Sequence, residues 1–437
     1  MSHGWSFEME YKLRYSDGLL SFSLSQCLEP RLVIESKEGP GLSAREAVAR
    51  ALASPMGGAQ LSSLARPGAK AVLIVNDTTR PTPVAEIAGL ILEQLSKVGE
   101  LKVIVALGLH PPPGPKELEA KLGRDLLKRA VLHDPRKDLV YLGRTSNGTE
   151  VYINRLVVEA DLRVAVGTIT PHPFAGFSGG PKILLPGVAG EETIKANHKL
   201  ARRPGAELAS LDANPVYHDE VYVASRLPTY AVNLVPSLGG GYAGAFAGEV
   251  LEVHKAGSLA FMRRNLYLLD EPVDAAITSS YPFEANLYQS WKAVFAVAGA
   301  VREGGSVVLA TPARGGVPRE KLEVVRRYEL ASKSLDELEG MIDELPDPVL
   351  GVVYLKLRQV LGERQLIVVS PGVSREEVED LGFTYAPSIE GALKQVGVRR
   401  GRVLINAAGA EVIVKLKRAG ELAFSTTSYC PRGSSTA

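Results

Sequence analysis

From residue 71 onward the chain alternates short apolar runs of strand length with stretches of helical spacing. Residues 71–75 form an apolar run, 84–98 carry helical spacing, and 103–107 form a second run. Continuous apolar runs separated by helices belong in parallel sheets, because each parallel connection crosses the sheet and lays its helix over one face. The rhythm continues through a strand at 162–166, a long loop at 167–190 and a helix at 191–200. A second series begins at 273–277 and runs through a helix at 287–302 and strands at 307–310, 366–369 and 403–406. At roughly 100–200 residues per domain, 437 residues suggest two or three domains. The expected fold class is α/β, with two α/β domains, mostly parallel sheets and an interdomain active-site cleft. The expected boundaries are 1–265 for an N-terminal domain carrying the site, 266–415 for a C-terminal domain closing over it, and 416–437 for a tail with room to pack back on the first domain.

Ahead of this series, Met9, Tyr11, Leu13 and Tyr15 alternate, Asp17-Gly18 turns the chain, and Leu20, Phe22 and Leu24 alternate back, which predicts a hairpin. Ser43 is placed to cap a helix over 44–53. The 50 basic and 49 acidic residues leave a net charge of +1, which argues against a generic nucleic-acid binder. The only cysteines, Cys27 and Cys430, exclude a disulfide scaffold and a multi-cysteine metal site within one chain. The longest apolar run, 293–301, falls well short of the ~18 residues of a membrane span, and Met1 to Lys12 lack a signal peptide's pattern. The expectation is a cytoplasmic protein with neither membrane nor nucleic-acid partners.

In open α/β sheets, ligands sit beyond the carboxyl ends of the strands. That singles out Asn76-Asp77-Thr78-Thr79-Arg80 and Gly108-Leu109-His110. Arg80 precedes Pro81 and Pro83, which stiffen the loop, and a guanidinium suits bidentate carboxylate or phosphate recognition. A surface arginine paired with Asp77 is an equal alternative. Of seven histidines, several lie in loops beside Gly and Pro, although any one alone is more often structural.

The densest signal runs from Thr170 to Lys182 and contains His172, Ser178, Gly179 and Gly180. Successive glycines let backbone N–H groups approach an anion, and Lys182 adds charge. Pro181 splits the Gly-Lys pair and Ile183 stands where a magnesium-binding hydroxyl belongs, so this is not a P-loop. His198 has no close histidine partner on its helix, which leaves a three-ligand zinc site poorly supported and a metal with one protein nitrogen open. In the second domain, Tyr281-Pro282-Phe283-Glu284 ends a strand, and Gln289 and Lys292 share one helix face. Read alone, that face is more simply a solvated one.

Taken in order, these segments resemble the nickel-pincer-nucleotide-dependent lactate racemase family, most specifically through Pro-His-x-x-Ala-Gly-Phe-Ser-Gly-Gly-x-Lys at 171–182. Asp77–Pro83, Gly108–His110, His133-Asp134, Asn197-His198, the stretch Leu211–Pro215, and Tyr281-Pro282 with Gln289 and Lys292 extend it through most of the chain. The resemblance implies a 2-hydroxy acid substrate, lactate or a related and larger acid, racemised or epimerised by reversible hydride transfer from Cα. It implies a nickel-pincer nucleotide covalently attached at Lys182, with His198 as nickel ligand. His110 and His172 match the acid/base pair, Arg80 the carboxylate contact, and Gln289 and Lys292 a pair reaching in from the second domain. Asp77 and Ser178, with Gly179 and Gly180, match positions near the nucleotide. The implied partners include the enzymes that make the cofactor: a carboxylase/hydrolase, a sulfur insertase and a nickel insertase.

Some residues depart from the family pattern. Asn76 stands where Asp is common, Glu284 replaces an Asp, and the loop Thr311–Gly316 lacks an expected Glu. Arg314 in that loop is a candidate for selecting a second anionic group. Two competing readings are a protein that holds the nickel cofactor or a phosphate ligand without turnover, and a zinc hydrolase built on His172, His198 and a carboxylate.

Overall fold

A computed structural model describes residues 7–16, 18–25, 28–35, 41–397 and 401–417. Asp17, Cys27, Cys430 and residues 418–437, which make up nearly all of the expected tail, lie outside the described residues. The first six-stranded sheet runs in the order Tyr242–Glu249, Tyr230–Pro236, Leu162–Thr168, Lys70–Asn76, Glu100–Ala106, Ala130–Leu132. All neighbours are parallel except the first pair. The second six-stranded sheet runs Thr384–Ala386, Gln365–Val369, Val301–Ala310, Val273–Ser279, Gly401–Asn406, Leu28–Ile34 and is parallel throughout. Val72, Ile74, Val103, Val105, Val307 and Val308 are fully buried, because both faces of each sheet are covered. Among the described residues, no helix is long and apolar enough to cross a membrane.

Two expectations need correction. The chain before residue 35 does not build the first domain: Leu28–Ile34 is the edge strand of the second sheet, in register with Gly401–Asn406. Pro30 is tolerated there because an edge strand has one unpaired side, and it also interrupts the apolar pattern that would have marked a strand. The hairpin Phe7–Tyr15/Gly18–Ser25 forms as its alternation predicts, and it sends Leu13, Phe22 and Leu24 into a core shared with Ile277, Val308 and Ile367 of the second domain.

The second correction concerns the continuous helix expected over 287–302. It is three pieces, Leu287–Ser290, Lys292–Val297 and the 3₁₀ turn Ala298–Ala300, after which a strand begins at Val301. Asn286 caps the first piece through Gln289 N–H, and Ser290 Oγ donates back to the Asn286 carbonyl at 2.9 Å. Gly299, a poor helix former, sits in the final turn.

Candidate active site

The loops beyond the carboxyl ends of both sheets face one cavity of about 770 Å³. From the first domain, Asp77, Arg80, His110, His172, Ser178, Gly179, Lys182 and His198 line it; from the second, Gln289 and Lys292. Residues some 215 positions apart in sequence, Asp77 and Lys292, thus meet because the loops that carry them follow parallel strands of the two sheets. Gly180 alone among the expected site residues does not line the cavity.

Asp77 and His110 form the best-defined pair. His110 Nδ1 lies 2.5 Å from Asp77 Oδ2, and Thr79 Oγ1 donates to Asp77 Oδ1 at 2.6 Å. Burial would raise the Asp77 carboxyl, but the charge and hydrogen bond of His110, with Arg80 and Thr79, outweigh it and hold the group well below the usual carboxylate range. An ionised Asp77 therefore fixes the Nδ1 hydrogen of His110 and leaves Nε2 without a hydrogen in the neutral ring. Arg80 Nη1 donates to Thr79 Oγ1 at 3.2 Å, so the arginine is braced against the same turn instead of pairing with Asp77 at the surface. Lys121, on the helix Pro115–Leu127, donates to the carbonyls of Arg80 (2.7 Å) and Thr82 (2.8 Å) and clamps that loop from behind.

The glycine-rich loop is buried throughout and holds a minimal antiparallel pair, Pro171–His172 with Gly176–Phe177, then the 3₁₀ turn Gly180–Ile183. Its glycines serve close packing more than an open anion cradle. Gly180 N–H already donates to Asn233 Oδ1 at 2.9 Å, and a Cβ on Gly180 would meet the His254 ring at 2.3 Å with φ at +52°. His172 is 6% exposed, and its Nδ1 accepts the Ala175 N–H at 3.2 Å, which places the hydrogen of the neutral ring on Nε2. Burial, then the positive charges of Lys182, Lys292 and Arg80, push its pKa well below the ordinary histidine value. His198 packs edge-on to Phe174 and is pushed down to about 3 by burial and by Lys182, so it is a neutral imidazole, the form that ligates metals.

Lys182 is buried, and its Nζ makes no hydrogen bond; its nearest charge is Glu220 Oε1, at 3.5 Å and wholly buried. Burial lowers the amine's pKa, opposed by Glu220. Ser178 Oγ, also facing the cavity, has no partner. On the opposite wall, Lys292 Nζ donates to Gln289 Oε1 at 2.7 Å and lies 3.8 Å from the centre of the Phe283 ring. Burial and then Arg80 push Lys292 well below the usual lysine range.

Other sequence candidates fall elsewhere. His133 is a buried structural histidine, bonded to the Ala189 carbonyl at 2.9 Å and to Asn154. Arg314 does not line the cavity; it is half-exposed and lies 3.6 Å from Glu284, whose carboxylate also accepts the Ser16 N–H from the hairpin. It therefore gives no second anion site in the cleft. Among the described residues no three His, Cys, Asp or Glu side chains group to hold a metal, which leaves the zinc-hydrolase reading without its ligand set. Sequence reasoning missed Lys121 and Glu220, since each sits on an ordinary amphipathic helix and is recognisable only by what it touches.

Models of the lactate racemase N-terminal and C-terminal domains match residues 15–209 and 270–414. A lactate racemase from Thermoanaerobacterium thermosaccharolyticum is 32% identical over 88% of this chain and 94% of its own length. The chain belongs to the lactate racemase family. A second family member, the lactate racemase of Lactiplantibacillus plantarum, is 30% identical over 86% of this chain and 92% of its own. The apoprotein structure of the Thermoanaerobacterium racemase superposes with a TM-score of 0.82 at 29% identity, covering 93% of this chain and all of that one. A Thermotoga maritima protein, 17% identical, shares the fold with a TM-score of 0.67 over 82% of this chain and 96% of its own. The two-domain α/β architecture is thus that of the family.

Proposed function

We propose that this protein is an isomerase that racemises or epimerises a 2-hydroxy acid, lactate or a close relative, in the interdomain cleft. The observation that carries this reading is the convergence, in one cavity, of two histidines of opposite hydrogen polarity with Arg80 and the buried amine of Lys182. A nickel-pincer nucleotide fits the residues present: an unpartnered buried amine for a covalent bond, a neutral His198 for the metal, and an unpartnered Ser178 hydroxyl beside them. When bound, that group supplies an acceptor and donor for the Cα hydrogen as hydride.

The chain's own residues do the rest. Arg80, held by Thr79 and by the loop that Lys121 clamps, orients the substrate carboxylate so that the reacting atoms stay aligned. His110 Nε2 accepts the proton of the 2-hydroxyl, its conjugate acid stabilised by ionised Asp77. His172, which lines the same cavity, presents Nε2–H and donates to the substrate oxygen. Gln289 and Lys292, one hydrogen-bonded unit from the second domain, close the cleft over the substrate and exclude water. A binding protein without turnover would need neither histidine so braced.

The test uses protein produced together with the cofactor-synthesis enzymes. Wild-type protein should gain mass by one adduct mapping to Lys182 and interconvert the enantiomers of a 2-hydroxy acid. Lys182→Ala should lose both, and His198→Ala should lose nickel. Adduct-bearing wild-type protein that leaves every 2-hydroxy acid unchanged would refute the assignment.

A further inference from the structure

Glu220 stands out among the buried charges. It lies on the helix Pro215–Arg226, is 0% exposed, and neither carboxylate oxygen has a hydrogen-bond partner. Among the described residues it pairs with one cation, Lys182 Nζ, 3.5 Å away. Glu220 does not line the cavity and reaches it only through Lys182, which does. Among the described residues the adjacent Asp219 is a second nearby charge: its Oδ2 also has no hydrogen-bond partner, and its negative charge helps to raise the Glu220 carboxyl. One turn before Glu220, the Tyr217 hydroxyl is 3.5 Å from His254 Nδ1, and the His254 ring packs against Gly180. The adjacent Asp219 accepts from Asn147 at 2.9 Å. Burying a carboxylate without a hydrogen-bond partner is costly, so the site favours the neutral acid, which carries a proton beside Lys182.

We infer that Glu220 is a positioning residue for the covalent loading of Lys182, holding one of the two protons that this reaction must deliver. The inference rests on the reading that Lys182 carries the pincer nucleotide as a thioamide. In the loading step the Lys182 nitrogen forms a bond to the carbon of a thiocarboxylate on that group, and the carbon–oxygen bond breaks. Lys182, starting as a neutral amine, passes both of its protons to the departing oxygen, which leaves as water, and its nitrogen takes one proton from Glu220, which starts as a neutral acid. Glu220 ends ionised, so the negative charge of the thiocarboxylate passes to it, and atoms and charge balance. Burial favours the required starting state, since it holds Glu220 up at about 8 and Lys182 below its ordinary value.

The experiment compares wild type, Glu220→Gln, Glu220→Asp and Lys182→Ala in two arms. In the first, apo-protein is treated with p-nitrophenyl acetate, whose leaving group needs no proton, and acetylation of Lys182 is followed by peptide mass spectrometry. In the second, the same proteins are made with the cofactor-synthesis enzymes and the mass of the adduct is followed over time. Glu220→Gln should still acetylate Lys182 but load the cofactor about 10²-fold more slowly, the low end for one acid/base group. Glu220→Asp should recover part of the loading rate. Loading of Glu220→Gln at the wild-type rate would overturn the inference, as would loss of both arms together, which marks a merely structural role. Wild-type protein that acetylates yet never gains the adduct would instead overturn the cofactor reading itself, and this inference with it.

Discussion

At the residue scale, the two histidines differ in what fixes them, and that difference is testable. Asp77 sets the hydrogen of His110 through a 2.5 Å contact, whereas His172 is set by a backbone N–H. Asp77→Asn removes the charge that stabilises protonated His110 and offers an amide to its Nδ1. The turnover number should fall by roughly 10²–10⁴-fold, the range for one acid/base group, with KM changed far less. Equal loss in both would mean that Asp77 only shapes the loop. A second outcome concerns pH. Burial, then a nearby positive charge, lowers His254 to about 4, below an unfolded-state value near 6.5. A depressed folded pKa means that the unfolded chain binds more protons below about 6.5, so this contribution is present above that pH and is lost as pH falls toward 4. Between pH 7.5 and pH 5, His254→Asn should therefore lose less of its melting temperature than wild type does. An identical pH slope in the two proteins would contradict the buried, neutral state of His254.

At the element scale, the glycine-rich loop shows what a motif does and does not say. Its density of Gly, Ser and Lys marked the site, and Ser178, Gly179 and Lys182 do line the cavity. Yet Gly180 is demanded by the His254 ring behind it, on a helix some 75 positions later, and no local pattern records that contact. Gly180→Ala should cost about 1–3 kcal/mol in denaturant unfolding, from a left-handed backbone and an overpacked contact together. Unchanged stability would show that the 180–254 packing is loose. The broken helix at 287–300 was hidden for a similar reason. Its residues keep helical spacing throughout, while the pieces are set by Asn286, which caps the first through Gln289 N–H, and by Ser290, whose Oγ donates back to the Asn286 carbonyl. That turn still brings Gln289 and Lys292 to one face, so their pairing was legible where the element boundaries were not.

At the scale of the whole molecule, the parallel sheets were legible because each strand is apolar on both faces, and their carboxyl ends pointed to the cleft. The origin of the second sheet's last strand was not. Leu28–Ile34 is short, carries Pro30 and lies about 370 residues from its partner Gly401–Asn406, a pairing that only the folded chain reveals. Its consequence is that Leu28–Ile34 and Gly401–Asn406 build one sheet of the second domain, while the first domain is inserted between them in sequence and returns Asp77, Arg80, His110, His172 and Lys182 to the shared cavity. The central claim, racemisation with the Cα hydrogen kept off solvent, is tested most directly by converting one enantiomer of lactate in D₂O with adduct-bearing protein. The account predicts that the opposite enantiomer accumulates with little deuterium at Cα. Deuterium entering Cα in step with racemisation, or no opposite enantiomer at all, would contradict it.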